Sequence, residues 1–215
     1  MNLLQICLFP LAFLLGSIPF AVIIGRLGGV DVLTQGSRNP GASNVYRLAG
    51  PVYGICVFVT DIGKGAFPAF LGSYLATHFG DAGMPANVLS IWMQLGAGFC
   101  AALGHIFSPF LKFKGGKGVA TFLGVFMYVF PPGVLLTGIV AGTVILITRY
   151  FSAGSICGAI VLPISYFIFK TPYFSDENWP ILLVTLIASF LLLFLHRGNI
   201  VRLMRGTEHK TRSNV

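Results

Sequence analysis

Charged side chains are missing from stretches of this chain that are too long for a fold surrounded by water. None precedes Arg26, and none lies between Asp81 and Lys112, between Lys117 and Arg149, or between Glu177 and Arg197. An uncharged apolar run of about 18 residues or more matches the hydrocarbon core of a bilayer, where a helix satisfies its own backbone polar groups. Of the 215 residues 55% are hydrophobic and 9% charged, whereas an average soluble domain is about 25% charged. The sequence therefore predicts an all-α polytopic membrane protein. The first apolar stretch, residues 1–24, lacks the basic start and small-residue cleavage pattern of a signal peptide and is read as a retained span. Cys7, Cys56, Cys100 and Cys157 each lie in an apolar segment without a CxxC arrangement, which predicts small core or lipid-facing residues and neither disulfide nor metal.

Punctuation by Pro, Gly and charge leaves apolar blocks at 3–25, 51–76, 88–110, 119–131, 134–148, 153–169 and 179–196, which suggests seven transmembrane helices. Block 119–131 is short for a roughly 30 Å core and is expected to be a short or re-entrant helix ending at Pro131-Pro132. The net charge of +8 would ordinarily suggest nucleic acid or anionic lipid, but here the placement of the charge decides. All of the fourteen Lys and Arg except Lys64 and Lys170 fall in the first, third and fifth connections or in the tail. Lys and Arg collect in cytoplasmic loops. Seven spans with the N-terminus outside and the C-terminus cytoplasmic put all of these loops on one side; six would set loop 112–117 opposite the tail. The expected organisation is one transmembrane domain over 1–200 and a basic cytoplasmic tail over 201–215, with no internal repeat.

Two connections carry the chemistry. The first, 36–47, is rich in glycine, hydroxyls, amides and arginine, with Ser37, Asn39, Asn44 and Arg47 as candidate anion ligands. Glycine allows N–H groups to converge, and arginine can grip two oxygens; an ordinary polar loop would have the same composition. The second, Lys112-Phe113-Lys114-Gly115-Gly116-Lys117-Gly118, runs into an apolar helix beginning near Val119 and Thr121. A glycine-rich turn at a helix N-terminus offers free N–H donors and the positive end of the dipole, a common seat for phosphate. The Walker A spacing is absent, so ATP and GTP are not implied. Asp61 and Lys64 lie three apart on one helical face, either as an ion pair bracing the bundle or in direct contact with substrate. His105 is a candidate acid or base, or a hydrogen-bonded structural histidine. The scattered histidines have no zinc spacing, the six acids offer no paired-carboxylate site, and no histidine starts the His-x4-Asp motif of soluble-headed glycerolipid acyltransferases.

Taken in order, Gly16-Ser17-Ile18-Pro19, the 36–47 loop, Asp61-x-x-Lys64-Gly65, Gly104-His105, Phe113-Lys114-Gly115-Gly116-Lys117-Gly118-Val119-Ala120-Thr121, Ser152 and His196-Arg197-Gly198-Asn199-Ile200-Val201-Arg202-Leu203 cover nearly the whole chain. This series resembles the bacterial integral-membrane acyl-phosphate:glycerol-3-phosphate acyltransferases. The chain departs from that pattern at Arg38, where the family has Gly, at Ser43, where it has Thr, and at Ser108, where its proline falls one position earlier than Pro109.

The resemblance implies transfer of a fatty acyl group from acyl-phosphate to the 1-hydroxyl of sn-glycerol 3-phosphate, giving lysophosphatidic acid and phosphate in phospholipid biosynthesis. It implies no cofactor, no metal and neither coenzyme A nor ATP. The implied partners are the two substrates and membrane lipids, with no nucleic acid and no obligate protein partner, at the cytoplasmic side of a bacterial inner membrane. Ser37, Arg47, Lys117, Ser152 and Asn199 would contact substrate phosphate or hydroxyl, and Gly115, Gly116 and Gly118 would shape the anion loop. No residue presents itself as a nucleophile. Direct attack by the glycerol hydroxyl is expected, with a substrate phosphate oxygen as base and His105 or His196 as rival bases. The competing reading is a transporter for a phosphorylated solute, which the lack of repeated halves disfavours.

Overall fold

The computed structural model describes residues 2–80, 83 and 85–211, and among these the chain is all helical and forms no strand. Asn2 opens helix α1, Leu3–Ser17, with a reciprocal cap in which Asn2 and Gln5 bond each other's backbone N–H. Pro19 has no N–H to continue the helix, and the chain restarts as α2, Phe20–Leu27. At this break the Ser17 carbonyl accepts from Ser108 Oγ at 2.7 Å and the Ile18 carbonyl from Lys64 Nζ at 3.1 Å. Ser108, which stands where the family pattern has proline, thus ties the third apolar segment to the first.

A short α3, Ala42–Ala49, precedes α4, Pro51–Phe79. Helix α5, Ala86–Ile106, ends in a 3-10 turn, Pro109–Leu111, and the glycine-lysine loop leads into α6, Val119–Val129. Then follow α7, Pro131–Thr148, α8, Phe151–Phe169, α9, Trp179–Leu195, and α10, Arg197–Met204. Five stretches are long and apolar enough to cross a membrane, and a sixth arises if α9 and α10, bent by 55°, form one broken span. Helix α6, with 11 residues, is too short to cross alone; at about 1.5 Å per residue it covers roughly half of a hydrocarbon core.

Glycines set the helix spacing. A Cβ at Gly16 would lie 2.0 Å from the Ala101 carbonyl oxygen, at Gly104 2.0 Å from Phe13, at Gly65 2.0 Å from Thr121, and at Gly124 2.0 Å from Ile62. Reciprocal glycine contacts therefore clamp α1 on α5 and α4 on α6. In lipid, where apolar side chains gain little from leaving their solvent, such close backbone approach is a main source of helix association. Helix α6 is wedged between α4, α5 and α7. Phe122, Phe126 and Phe130 form with Tyr166, Ile181 and Ala188 the largest buried apolar cluster.

Residue 200, the expected domain boundary, lies inside α10, and beyond that helix Glu208 folds back and is buried. Arg212 and the acid Asp81 lie outside the described residues.

Candidate active site

The first loop is built around an asparagine. Gly36 takes φ +60°, and a Cβ there would lie 2.4 Å from Asn44 Oδ1. That oxygen accepts the Ser37 N–H at 3.0 Å, while Asn44 Nδ2 donates to the carbonyls of Val32 and Gln35, each at 3.2 Å. Asn44, expected as a substrate ligand, is fully buried and spends its amide on closing the loop. It does not reach the cavity described below. On the opposite face of α3, Ser43, Tyr46 and Arg47 do reach it, and Arg47 Nη2 donates to Ser37 Oγ at 3.4 Å. Arg38 sits at φ 55°, in the left-handed region. This accounts for the family's glycine at that position, since a Cβ there costs about 1 kcal/mol or more.

The second loop spends its glycine N–H groups otherwise than expected. Gly115 N–H donates to Ile106 O at 2.9 Å and Gly116 N–H to His105 O at 3.1 Å, so both latch the loop to the end of α5 and are not free for an anion. Size explains these glycines: a Cβ at Gly115 would lie 2.0 Å from the His105 carbonyl oxygen, and one at Gly116 2.1 Å from His105 Nε2. Gly118, at φ 82°, precedes α6 without a side-chain cap, so the first-turn N–H groups stay uncapped where Gly118, Val119 and Ala120 line the cavity. Thr121, another expected ligand, is buried on the other face of α6 against Gly65 and does not line it.

Both loops close one end of a cavity of about 850 Å³. Ser37, Asn39, Arg47, Lys114, Gly115, Lys117, Gly118, Ser152 and Asn199 all line it, as do Asp61, His105 and His196. Gly116 and Lys64 instead line a small adjoining pocket, together with Asp61 and His105. Lys64 Nζ lies 2.9 Å from Asp61 Oδ1, and His105 Nδ1 lies 3.7 Å from the same oxygen. With Ile18 O as its further acceptor, the buried lysine is neutralised within the bundle, which fits a bracing role. His196 Nδ1 is 2.8 Å from Leu192 O. A carbonyl only accepts, so Nδ1 carries the proton, and in the neutral ring Nε2 presents a lone pair.

One residue at the centre of the site was not among the expected ligands. Glu208 Oε1 accepts from Asn199 Nδ2 at 2.7 Å and Ser152 Oγ at 3.0 Å, and its Oε2 accepts from Arg202 Nε at 2.8 Å. Lys117 Nζ donates in turn to Asn199 Oδ1. Gly206, at φ +68°, turns the chain back after α10, and Thr211 N–H bonds Arg149 O at 2.8 Å, pinning the returning segment of the tail. Burial pushes the Glu208 carboxyl up, but the bonds from Asn199, Arg202 and Ser152 outweigh it and hold the group below its ordinary value. Burial pulls the Lys117 ammonium down to about 8, with Arg202 and Arg47 adding to the effect and Glu208 opposing it. Burial likewise lowers Arg47. The signal in the sequence was available: Glu208 is the one acid among the basic residues that follow residue 196.

Away from this polar end the cavity is apolar, with Phe58, Phe126, Val134, Ala141 and Leu162 on its walls. A compartment that is cationic and rich in donors at one end and apolar at the other accommodates a phosphorylated head with a hydrocarbon tail.

Known proteins are similar to this chain in sequence and in fold. The glycerol-3-phosphate acyltransferase family model matches residues 6–206. The glycerol-3-phosphate acyltransferase of Trichlorobacter lovleyi is 41% identical over 199 residues, 93% of each chain. That of Syntrophotalea carbinolica is 39% identical over 201 residues, again 93% of each. The crystal structure of PlsY (YgiH), an integral membrane glycerol 3-phosphate acyltransferase, in its glycerol 3-phosphate form superposes with a TM-score of 0.81 at 36% identity, covering 96% of this chain and 94% of that one. Its lysophosphatidic acid form gives 0.79 at the same identity and coverage. With its family pattern matched nearly end to end and its helices in the same arrangement, this multi-pass membrane protein belongs to the glycerol-3-phosphate acyltransferase family.

Proposed function

We propose that the chain transfers a fatty acyl group from acyl-phosphate to the 1-hydroxyl of sn-glycerol 3-phosphate, releasing lysophosphatidic acid and inorganic phosphate, at the cytoplasmic face of a bacterial inner membrane. The observation that carries this reading is the single cavity joining Ser37, Arg47, Lys117, Ser152 and Asn199 to an apolar depth. Both substrates bear phosphate and one bears a lipid tail. The acyl carbon is already activated as a mixed anhydride, so the reaction asks for neither cofactor nor metal. Seven membrane segments, with α1 and α2 as one and α6 as a short one, leave the N-terminus outside and gather the basic connections on the inner side.

In this mechanism Ser37, Arg47, Lys117, Ser152 and Asn199 hold phosphate and hydroxyl oxygens in place. The glycerol oxygen attacks the acyl carbonyl, the ester C–O bond forms, and the bond from the acyl carbon to the phosphate oxygen breaks. The phosphate leaves with the electron pair, and the hydroxyl proton passes to a substrate phosphate oxygen. Fixed donors and cations stabilise the charge that develops on the carbonyl and leaving oxygens. Among the protein groups, His196 Nε2 is the better oriented rival base.

Purified protein mixed with acyl-phosphate and labelled glycerol 3-phosphate in detergent is expected to form labelled lysophosphatidic acid with no membrane gradient. Absence of product, or a requirement for acyl-coenzyme A, overturns the reading. The double variant His105→Gln/His196→Gln tests the base: loss of turnover with both substrates still bound would rule out the substrate oxygen.

A further inference from the structure

The apolar half of the cavity has a depth, an end and an unfilled wall. Along α7 its lining runs through Ile145, Gly142, Ala141, Gly138, Thr137 and Val134, one helical face. The eleven steps from 145 to 134 cover about 16 Å, close to one leaflet of a roughly 30 Å hydrocarbon core. Along α8 the wall runs from Ser152 to Leu162, about 15 Å. The two walls therefore descend together from the phosphate end. The lining ends at Val134 and Leu162, and one helical turn further on the rings of Phe130 and Tyr166, with centroids 6.4 Å apart, are almost fully buried. Helices α4 and α7 barely pack against each other, yet Phe58 of α4 and Gly138 of α7 both line the cavity and are exposed, so the groove opens sideways toward lipid.

Two glycines on this wall differ from the helix-packing glycines. A Cβ at Gly154 would meet Ile145 at 2.4 Å, so α8 could not approach α7 this closely with a side chain there, and one at Gly158 would stand 3.3 Å from Thr137, a tight fit. At Gly138 and Gly142 nothing lies within 4 Å of where a Cβ would stand. They are one turn apart, and packing among the described residues gives no reason for either to be glycine in a helix, where glycine is a poor residue. Beside them the Thr137 hydroxyl is buried with no hydrogen-bond partner among the described residues, so on this stretch too the wall is not satisfied by the chain's own groups.

We infer that Gly138 and Gly142 set the acyl-chain length the protein accepts, by leaving the middle of the groove wide enough for a chain that runs from the phosphate end to the end of the lining at Val134 and Leu162. This rests on the acyltransferase reading for the identity of the chain and on the groove's geometry for its length. A tail blocked by an added side chain must leave the groove for lipid and give up its contacts with the walls, so the discrimination is steric. A side chain at Gly142 intrudes about 5 Å below Ile145 and one at Gly138 about 10 Å below it. The two variants are therefore predicted to cut the accepted length at different points.

The test compares wild type, Gly142→Leu, Gly138→Leu and the outward-facing control Ile139→Ala with acyl-phosphates of eight to eighteen carbons, and measures binding of lysophosphatidates of the same lengths. Leucine is a better helix former than glycine, so the fold of α7 is not put at risk. Relative to short chains, kcat/KM for long chains should fall roughly tenfold or more in both variants, the low end of what a steric misfit does in an apolar pocket. The fall should begin at shorter chains in Gly142→Leu, with KM for glycerol 3-phosphate and the Ile139→Ala profile unchanged. Length profiles that match wild type in both leucine variants overturn the inference. If wild type makes no lysophosphatidic acid while the binding profiles still shift by length, the acyltransferase reading fails and the groove assignment stands.

Discussion

Replacing Glu208 by Ala tests the least expected feature of the site. Its side chain is 4% exposed and serves Ser152, Asn199 and Arg202 at once. Hydrogen bonds to a charged group contribute about 1.5–3 kcal/mol each. The Arg202 side chain is 39% exposed, so water replaces much of its bond and it counts for little. The two buried donors dominate, and the alanine variant should lose about 3 kcal/mol, at the low end for removing one partner from a buried charged cluster. Reversible unfolding in mixed micelles measures that loss. Steady-state kinetics should show a raised KM for glycerol 3-phosphate, because Ser152 and Asn199 are no longer held. The pH dependence has a defined sign. The folded carboxyl titrates below its ordinary 4.5, so its contribution is fully present above about pH 4.5 and is lost as the pH falls through the folded value. A variant within about 0.5 kcal/mol of wild type, the range of an unremarkable surface change, with unaltered KM, would refute the bracing role.

Other outcomes follow from the same geometry. With Lys117 at about 8, the free protein at pH 8 is half protonated there, and binding of a phosphate dianion should draw in up to about 0.5 proton. Calorimetry in buffers of different ionisation enthalpy reads that uptake, which Lys117→Arg should abolish because arginine is already charged; unchanged uptake in the variant counts against the assignment. Arg38→Gly relieves a left-handed φ of 55° and should stabilise the protein by about 1 kcal/mol, seen as a raised unfolding midpoint; a lowered midpoint argues against strain there. Gly65→Ala drives a Cβ toward the Thr121 carbonyl oxygen, 2.0 Å away, and should cost about 1–3 kcal/mol; unchanged stability would show that α4 and α6 can separate freely.

Much of the fold was legible because the bilayer allows so few solutions. Every apolar block became helical, the first as two helices broken at Pro19, and block 119–131, singled out as short, became the 11-residue α6. Local stereochemistry was harder to read. The Gly16-Ser17-Ile18-Pro19 motif stood out as a pattern, but its use was hidden until Lys64 and Ser108 were seen bonding the carbonyls of Ile18 and Ser17. Residue type likewise did not decide which polar side chains face the cavity. On α3, Ser43, Tyr46 and Arg47 share a helical face, while Asn44 turns with Val45 and Leu48 toward the loop it closes. On α6, Val119, Phe122, Leu123 and Phe126 line the cavity, and Thr121 and Gly124 turn to α4. Helical periodicity applied to the short segments would have separated these groups in advance.

Glu208 escaped for a different reason, and that reason bears on how the site works. A basic tail reads as a topology signal, and one acid within it looks like noise. Its meaning is non-local: it lies 56 residues from Ser152 in sequence and reaches it only after α10 and the turn at Gly206. Yet a pocket assembled from Arg47, Lys117 and Arg202 concentrates positive charge in partly buried space, and like charges there repel and lower one another's affinity for protons. A carboxylate placed among them offsets that repulsion and fixes Asn199 and Ser152 through the hydrogen bonds they donate to it. The acid in the tail is therefore what allows so basic a site to exist inside a bundle this apolar.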